Sequence, residues 1–322
     1  MRPALALALL ATTLACSVFA VPAQAQRARV FVASYGSDSN PCTFGSPCKT
    51  FQAAVNAVAA GGEVTAIDSA GFLPVTISKS VTITSPAGTE AGIAAAPGNN
   101  AITIESGAGT VVLRGLTIDG GGTANYGIVA IAGNDVEIYD CAVHNFATAG
   151  IEMSAVSAMN VVISNTVVSG VNNNDPNNPN LGIDLATNGG TITATLDKVT
   201  ADYNNYGLQA YAFNGNLQLL ISNSHIDNSS GLALAVAGSG SNSQSSVTLK
   251  NVTLNQSPVG IFEDGFSTVW LSHVTQSTVA GFTTEGGLVY QMTNNLTYGD
   301  GTNHIMGSLG GGAAITSWPA TF

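Results

Sequence analysis

Acidic and imidazole side chains recur at one position of a sequence repeat. Asp119, His144, Asp202 and Asp227 each stand four residues after an Asn-like position. If equivalent positions stack, Asp202 and Asp227 lie one strand spacing apart, about 4.8 Å, where two carboxylates raise each other's pKa or share a cation. His225 would point the same way as Asp227, two residues later on the strand. This pattern predicts acid–base chemistry such as glycoside cleavage, or a calcium site. The alternative is a structural role, because Asp and Asn favour chain corners.

A second pair of acids follows a recurring glycine. Glu152 and Asp184 each stand two residues after a Gly that precedes an aliphatic residue. An elongated segment, residues 170–181, separates them, so spacing alone does not fix whether they stack. The column predicted from this spacing contains Val129, Glu152, Asp184, Gln209, Ala233, Phe262 and Thr283.

Two insertions interrupt the same corner of the repeat, residues 119–126 and 170–181. Loops on one side of a solenoid often form its binding face, and tolerated variation of a surface loop is the alternative. Tyrosines near these corners would offer platforms for sugar rings, although tyrosines also pack at coil ends for stability. They are Tyr126, Tyr203, Tyr206 and Tyr211.

These columns depend on a repeat that runs through most of the chain. Its Asn-like slots are Gly115, Asp140, Asn165, Lys198, Asn223, Asn251 and His273, and its glycines are Gly127, Gly150, Gly182, Gly207, Gly231, Gly260 and Gly281. Successive glycines are 21 to 32 residues apart, which indicates a solenoid, a propeller or an array. The shortest interval cannot hold a four-stranded blade, and no amphipathic helix follows residue 61. The pattern predicts an all-β parallel β-helix over residues 62–322 with a C-terminal cap, and an amide ladder through Asn165.

Residues 26–61 are predicted to form a strand, a Cys loop and a helix that caps the first coil. Ser46 suits an N-cap, Pro47 the first helical position and Gly61 the C-terminal stop. An apolar stripe with helical spacing would cover the open end of the solenoid. Its members are Phe51, Ala54, Val55 and Val58.

Residues 1–25 have the features of a secretory signal peptide. Arg2 precedes an apolar run that ends at Ala15, and an A-x-A cleavage site ends at Ala25. Lipoprotein processing at Cys16 is the alternative. No later apolar run reaches the ~18 residues of a membrane span. The sequence therefore predicts a secreted or periplasmic protein without membrane insertion.

The remaining cysteines fit an oxidising compartment. Cys42 and Cys48 flank a five-residue loop and are predicted to form a disulfide. Cys141 has no sequence neighbour to pair with and is predicted to be an inert thiol in the core. Because no Cys-x-x-Cys pair occurs, a structural zinc site is not expected.

The net charge of the chain limits the kinds of molecule that it can bind. The chain has 8 Lys and Arg against 19 Asp and Glu, a net charge of −11. Such a chain repels nucleic acid and anionic lipid surfaces. It would also repel an anionic polysaccharide unless a metal ion bridged the two. Only 8% of the residues are charged, so Thr, Ser and Asn must cover most of the surface.

The N-terminal region combines Gly36-Ser37-Asp38, the Ser46-Pro47 start, Phe51-Gln52-Ala53-Ala54, Gly62 and the strand at 79–83. In these features it resembles the N-terminal region of secreted bacterial right-handed β-helix proteins of the pectate lyase-like superfamily. The resemblance covers residues 29–305 and implies a right-handed solenoid. Activity is not implied, because many such proteins have no assigned reaction.

Signatures of the active members are absent from the sequence. The Asn-Thr-Asp, Asp-Asp and Gly-His-Gly segments of polygalacturonase-like hydrolases do not occur, nor does the Arg-x-Pro-x-x-Arg segment of pectate lyases. The VWLSH segment at 269–273 has Ser272 where the lyases have an acid. Basic groups on the body are limited to Arg114, Lys198 and Lys250, too few for a lyase.

The sequence favours a monomeric module that binds a polysaccharide or cell-surface glycan, without a required cofactor and with calcium as an optional ligand. The alternative is a divergent polysaccharide lyase or glycoside hydrolase that uses the Asp and His groups above. A third hypothesis, ice binding by Thr191, Thr193 and Thr195, is weaker because these threonines do not recur in the next coils.

Overall fold

The structure is a computed structural model. It describes residues 27–132, 134–171, 180–240, 242–265, 267–272, 275–277, 289–291, 296–299, 304–305 and 315–317. The predicted signal peptide and most of the predicted C-terminal cap lie outside these residues. Strand β29 (Ile315–Ser317), which falls within the predicted cap, adds to the solenoid.

The described chain is built from one short helix, α1 (Phe51–Ala57), and many strands. The strands are β1 (Arg27–Val32), β2 (Val58–Ala66), β3 (Ala70–Phe72), β4 (Val75–Ile77), β5 (Val81–Thr84), β6 (Ala91–Ala94), β7 (Ile102–Ile104), β8 (Thr110–Arg114), β9 (Leu116–Asp119), β10 (Tyr126–Ile131), β11 (Asp135–Tyr139), β12 (Ala142–His144), β13 (Ala149–Ala155), β14 (Ala158–Ser164), β15 (Val167–Ser169), β16 (Leu181–Asn188), β17 (Thr191–Asp197), β18 (Thr200–Asp202), β19 (Tyr206–Phe213), β20 (Asn216–Asp227), β21 (Leu232–Ser239), β22 (Gln244–Asn255), β23 (Val259–Gly265), β24 (Ser267–Ser272), β25 (Thr275–Ser277), β26 (Val289–Gln291), β27 (Leu296–Gly299), β28 (His304–Ile305) and β29.

The strands wind into a right-handed parallel β-helix, as the sequence predicts. Each rung passes through three faces in the order a, b, c, and every pairing among the described strands is parallel. Face a contains β1, β2, β5, β8, β11, β14, β17, β24, β27, β29 and the first halves of β20 and β22. Face b contains β3, β6, β9, β12, β15, β18, β25, β28 and the second halves of β20 and β22. Face c contains β4, β7, β10, β13, β16, β19, β21, β23 and β26.

The core is a stack of aliphatic side chains inside the coil. Inward residues alternate with outward ones along each strand, so Val, Ile and Leu of all three faces form one buried cluster. One rung alone could not bury this surface, because half of each strand is apolar and only stacking removes it from water. This explains why the sequence repeats.

The Asn-like slot forms the corner between faces a and b. Its residues have left-handed backbone angles, which Gly, Asn and Asp tolerate best: φ is 70° at Gly115, 55° at Asp140, 48° at Asn165, 56° at Lys198, 50° at Asn223 and 55° at Asn251. The predicted ladder exists in pieces. Asn165 Nδ2 donates to Asp140 Oδ1 at 2.8 Å, and Asn251 Nδ2 donates to Asn223 Oδ1 at 2.8 Å. Lys198 interrupts it.

The capping helix is present, but its predicted start is wrong. Helix α1 begins at Phe51, and the Thr50 side chain, not Ser46, accepts the capping hydrogen bond from the Ala53 amide at 3.1 Å. Ser46 and Pro47 lie in the preceding loop. Backbone bonds between Phe31 and residues 42 and 48 hold this loop beside β1, so the chain cannot turn helical until the loop ends.

The predicted helix end at Gly61 is also wrong. The C-cap is Val58, which already begins β2, and Gly61 lies inside this strand with φ 76°. Lys79 Nζ donates to the Val58 carbonyl at 2.6 Å and to the Asn56 carbonyl at 3.3 Å, close to the helix end. A cation is favourable there, because the last carbonyls of a helix carry partial negative charge.

The cysteines occupy the predicted states. Cys42 and Cys48 form a disulfide that closes the loop beside β1. Cys141 is a free, buried cysteine. Burial raises the pKa of its thiol to about 11, so the reactive thiolate is scarce at neutral pH.

Candidate functional site

The first predicted column stacks in register at the end of face b. Parallel pairing aligns Asp119 with His144, His144 with Ser169, Ser169 with Asp202, Asp202 with Asp227, Asp227 with Asn255 and Asn255 with Ser277. Asp202 and Asp227 are therefore neighbours on successive rungs. The predicted spatial arrangement is correct, while a functional role of these residues stays a prediction.

The carboxylates of this column bind the next corner of the chain. Asp202 Oδ1 accepts from the Tyr203 amide at 3.1 Å and from Asn228 Nδ2 at 2.8 Å. Asp119 Oδ1 accepts from Asn145 Nδ2 at 3.1 Å. The residues that follow the column are left-handed at several rungs, with φ 59° at Asn145, 55° at Tyr203 and 52° at Asn228. These contacts support the structural alternative, in which the column holds the corner between faces b and c.

The two histidines do not pair with the neighbouring acids by a described hydrogen bond. His144 Nδ1 lies 2.9 Å from Ser169 Oγ. His225 is exposed and aligned with Thr200. Burial raises the pKa of Asp227, and Asp202 adds to this, whereas the hydrogen bond from the Asn255 amide and the nearby His225 act to lower it. Among the described residues no group of three or more His, Cys, Asp and Glu side chains could hold a metal ion.

If the column only holds the corner, replacing Asp202 should change the stability of the fold. Asp202→Ala should lower the free energy of unfolding by about 1 kcal/mol, because two hydrogen bonds to the corner are lost. Asp202→Asn keeps an acceptor oxygen and should stay near wild type. Denaturant titration of both variants measures the difference. If Asp202→Asn abolishes an activity while leaving stability intact, the corner role is insufficient and Asp202 acts chemically.

The second predicted column lies on face c, and one of its members is wrong. Pairing aligns Val129 with Glu152, Glu152 with Asp184, Asp184 with Gln209 and Gln209 with Ala235, not Ala233; Ala235 then aligns with Phe262. Ala233 instead occupies the position of the repeat glycine. Gly207 stands nine positions after its slot residue Lys198, whereas the equivalent Ala233 stands ten positions after its slot residue Asn223. A position counted from Gly231 is therefore two residues out of register. Thr283 lies outside the described residues.

Glu152 and Asp184 form an acidic pair on adjacent rungs of face c. Gln209 Nε2 donates to Asp184 Oδ1 at 3.2 Å. Burial raises the pKa of Asp184 to about 7, and the charge of Glu152 adds to this. Burial also raises the pKa of Glu152, against the hydrogen bond from Tyr126, which lowers it. Two carboxyl groups one strand spacing apart, one with a pKa near neutrality, can share a proton or act as an acid and a base.

The column of the acidic pair is recessed although it points outward. Val129 and Ala235 do not belong to the core cluster, yet only 4% and 5% of their surface is exposed. Asp184 is 9% exposed. In contrast, Ile131, two residues after Val129 on the same face, is 52% exposed. Val129, Asp184 and Ala235 are thus buried although they point outward, whereas Glu152 and Gln209 of the same column are partly exposed.

A cleft of about 540 Å³ lies at the corner between faces b and c toward the N-terminal end, and Thr103 of its lining belongs to the column of the acidic pair. It is lined by Leu73, Pro74, Ala94, Ala96, Asn99, Asn100 and Thr103. Thr103 aligns with Val129, which places the cleft two rungs from Glu152, roughly 10 Å along the solenoid axis. These residues carry no repeat signal in the sequence, because they precede Gly127, the first of the repeat glycines.

Both predicted insertions leave face b and enter face c. Residues 119–126 join β9 to β10, and the Asn125 amide donates to the Asn99 carbonyl at the cleft. The second insertion joins β15 to β16; Val171 and Asn180 are its described ends, and residues 172–179 lie outside the described residues. Tyr203, at the same corner, is 64% exposed, whereas Tyr126, Tyr206 and Tyr211 are partly buried.

The threonines considered for ice binding lie on face a. Thr195 aligns with Leu220 and then Thr248, and Thr193 with Gln218 and then Ser246. Threonine is therefore not repeated from rung to rung in either row. No helix of the described chain is long and apolar enough to cross a membrane.

Comparison with known proteins identifies the fold. No family model matches the chain. No curated protein matches its sequence. Among solved structures, the chain is similar to pectate lyase Pel9A, with a TM-score of 0.57, 14% identity, and 84% of this chain and 74% of that chain covered. A rhamnogalacturonan lyase gives a TM-score of 0.57 and 16% identity over 75% and 74% of the two chains.

A third similar structure is the enzymatically active domain of bacteriophage CBA120 tailspike protein 2. It gives a TM-score of 0.55 and 13% identity over 84% of this chain and 47% of that chain. At these identities the similarity establishes the right-handed parallel β-helix fold and carries no reaction with it.

Proposed function

We propose that the protein is a secreted polysaccharide-binding β-helix that holds a glycan chain along face c. The observation that carries the proposal is the recessed column on this face. There the acidic pair and Gln209 lie in line with Thr103 of the cleft, and the Tyr126 side chain hydrogen-bonds to Glu152. A linear polymer lying parallel to the solenoid axis would contact several rungs at once, and each rung would add a similar set of contacts.

The chemistry of this column suits sugar hydroxyls. Carboxylate and amide oxygens accept hydrogen bonds, and the Gln209 amide can donate one. Tyr203 and Tyr126 supply aromatic surface at the border of the face, where a sugar ring can pack. The names of the similar solved structures, pectate lyase and rhamnogalacturonan lyase, are consistent with a polysaccharide ligand.

Secretion is supported by three features. Residues 1–25 have a signal-peptide pattern, a disulfide joins Cys42 to Cys48, and the described chain has no helix suited to a membrane span. We propose cleavage after Ala25 and a monomer that needs no cofactor, with calcium as an optional ligand. Mass spectrometry of the exported protein tests the first point, since the mature chain should begin at Gln26.

A matched pair of glutamines tests the binding face. Gln209 is on face c and Gln218 is exposed on face a. We expect Gln209→Ala to weaken binding of the polysaccharide about five- to tenfold, because one or two hydrogen bonds to the polymer are lost. Gln218→Ala should bind like wild type. Affinity electrophoresis against plant and bacterial polysaccharides measures this. Equal losses in both variants, or no binding to any polymer, would contradict the proposal.

Hydrolysis of a glycosidic bond is a second candidate function. The observation that favours it is the raised pKa of Asp184, about 7, beside Glu152 on the next rung. Asp184 could act as the general acid while Glu152 is the carboxylate. A strand spacing of about 4.8 Å is close to the roughly 5–5.5 Å between the carboxyl groups of retaining glycosidases.

The reducing ends released from a polymer test this second function. Wild type should release them with retained anomeric configuration, and Glu152→Gln and Asp184→Asn should each lower the rate at least about a hundredfold. Binding should survive in both variants. If wild type releases no reducing ends from any polymer that it binds, the protein is a binding module only.

A further inference from the structure

We propose that the glycan held on face c is uncharged, and that this face excludes polyuronates. The inference rests on the proposed function, because it names the class of polymer that the same surface accepts. It follows from where the few cations and the many acids lie on the three faces. The names of the similar solved structures do not suggest it.

The cations of the described chain lie away from face c except Lys79, two residues after β4, whose ammonium group donates to backbone carbonyls. Besides Arg2, outside the described residues, the sequence has seven Lys and Arg: Arg27, Arg29, Lys49, Lys79, Arg114, Lys198 and Lys250. The first four lie at the N-terminal end, where Arg29 pairs with Glu63 and Lys79 binds carbonyls beside the helix.

The other three cations stand at the corner between faces a and b. Arg114 ends β8, and its guanidinium lies 4.6 Å from the centre of the Tyr139 ring. Lys198 occupies the left-handed slot, and Lys250 aligns with Ser222 at the end of face a. In a three-faced coil this corner is on the far side of the axis from face c. No cation of the described chain therefore offers a uronate carboxylate a partner on that face.

A group of acids, in contrast, borders or occupies face c, while others such as Asp135 and Asp197 lie on face a. Glu152 and Asp184 lie on its recessed column, and Asp119, Asp202 and Asp227 line the corner where it meets face b. The ion pairs among described residues, Arg29–Glu63 and Arg114–Asp140, neutralise none of them. Two imidazoles adjoin these acids, His144 beside Asp119 and His225 beside Asp227, and both lie on face b.

A polyuronate carries one carboxylate on each sugar, at a spacing similar to that of the rungs. Sugars beside Asp119, Glu152, Asp202 or Asp227 would then meet a carboxylate of the same sign on face c or its border. This repulsion acts over the Debye length of about 8 Å at physiological ionic strength. A neutral glycan meets no such repulsion and keeps every hydrogen bond to the column. The face therefore selects against charge.

Two variants, each with one lysine added on a different face, test the inference. Ile131 is 52% exposed on face c, and Leu220 is 38% exposed on face a. Ile131→Lys and Leu220→Lys change the net charge equally, but only the first puts a cation beside the acidic pair. Binding to polygalacturonate and to a neutral galactan is measured for wild type and both variants, with calcium and with EDTA, and circular dichroism confirms that each variant is folded.

We expect wild type to bind the galactan and not polygalacturonate in either condition. Ile131→Lys should bind polygalacturonate at least about tenfold more tightly than wild type, and Leu220→Lys should not. Polygalacturonate binding by wild type, whether or not calcium is needed, would overturn the inference while leaving the proposed function intact. So would an equal gain in both variants. Binding to neither polymer nor to any other glycan would overturn the proposed function as well.

Discussion

We expect Asp184→Asn to stabilise the folded chain at about pH 8 by on the order of 2–4 kcal/mol. Burial raises the pKa of Asp184 from 3.8 to about 7. Between these values the folded state binds a proton that the unfolded state has lost. The stability contributed by this proton is complete below about pH 4 and is lost as the pH rises through 7. An asparagine stays neutral throughout and can still accept the hydrogen bond from Gln209.

Denaturant midpoints at about pH 5 and pH 8 measure this effect. Wild type should lose stability between the two values, and Asp184→Asn should lose much less. Asp135→Asn is the matched control, because Asp135 is exposed on face a and its carboxylate stays in water. A pH dependence of Asp184→Asn equal to that of wild type would show that Asp184 is not protonated in the folded state.

We expect Gly150→Ala to destabilise the solenoid by roughly 2–3 kcal/mol. A Cβ at this position would lie 2.4 Å from Val168 Cγ1 and 2.8 Å from the Gly182 carbonyl oxygen. The first contact is with a core side chain of face b, and the second is with the backbone of the next rung. Relief requires the rungs to move apart, which weakens the parallel ladder on both sides.

Gly71→Ala is the control for this prediction. Gly71 lies in β3, and a Cβ there would meet no atom within 4 Å. Alanine should be neutral or stabilise slightly, by about 0.4–1 kcal/mol, because it restricts the unfolded chain. Thermal unfolding followed by circular dichroism compares the two variants. If Gly150→Ala unfolds at the same temperature as Gly71→Ala, close packing does not explain the repeat glycine.

Gly150 and Asp184 differ in what they contribute to the stability of the fold. The repeat glycine serves packing, and its replacement should only cost stability. Asp184 costs stability at neutral pH, and its neutral replacement should restore it. A buried carboxyl group that the fold would be more stable without is the pattern expected of a functional group. The corner acids differ, because Asp119 and Asp202 contribute hydrogen bonds to the fold.

The sequence by itself determined the solenoid and the register of its corner column. Each rung must bury the same aliphatic stripe, so the strands have apolar residues at most of their inward positions. The slot residues mark where the corner falls in each repeat, because each must adopt a left-handed backbone angle and few residue types do so at low cost. Four positions separate slot and corner in each rung from Gly115 to Asn251, and the stacking of Asp202 on Asp227 follows from this constant spacing.

Only the tertiary structure decided the details that depend on contacts between distant segments. The helix starts at Phe51 and not beside Ser46, because backbone bonds to Phe31 hold the Cys loop extended. Ala233 takes the place of a glycine, because the corner between faces b and c varies in length and strand pairing sets its register. The raised pKa of Asp184 arises from its neighbours and its loss of water. Sequence spacing fixes which residues can meet, whereas burial and charge, which decide what they can do, depend on everything packed around them.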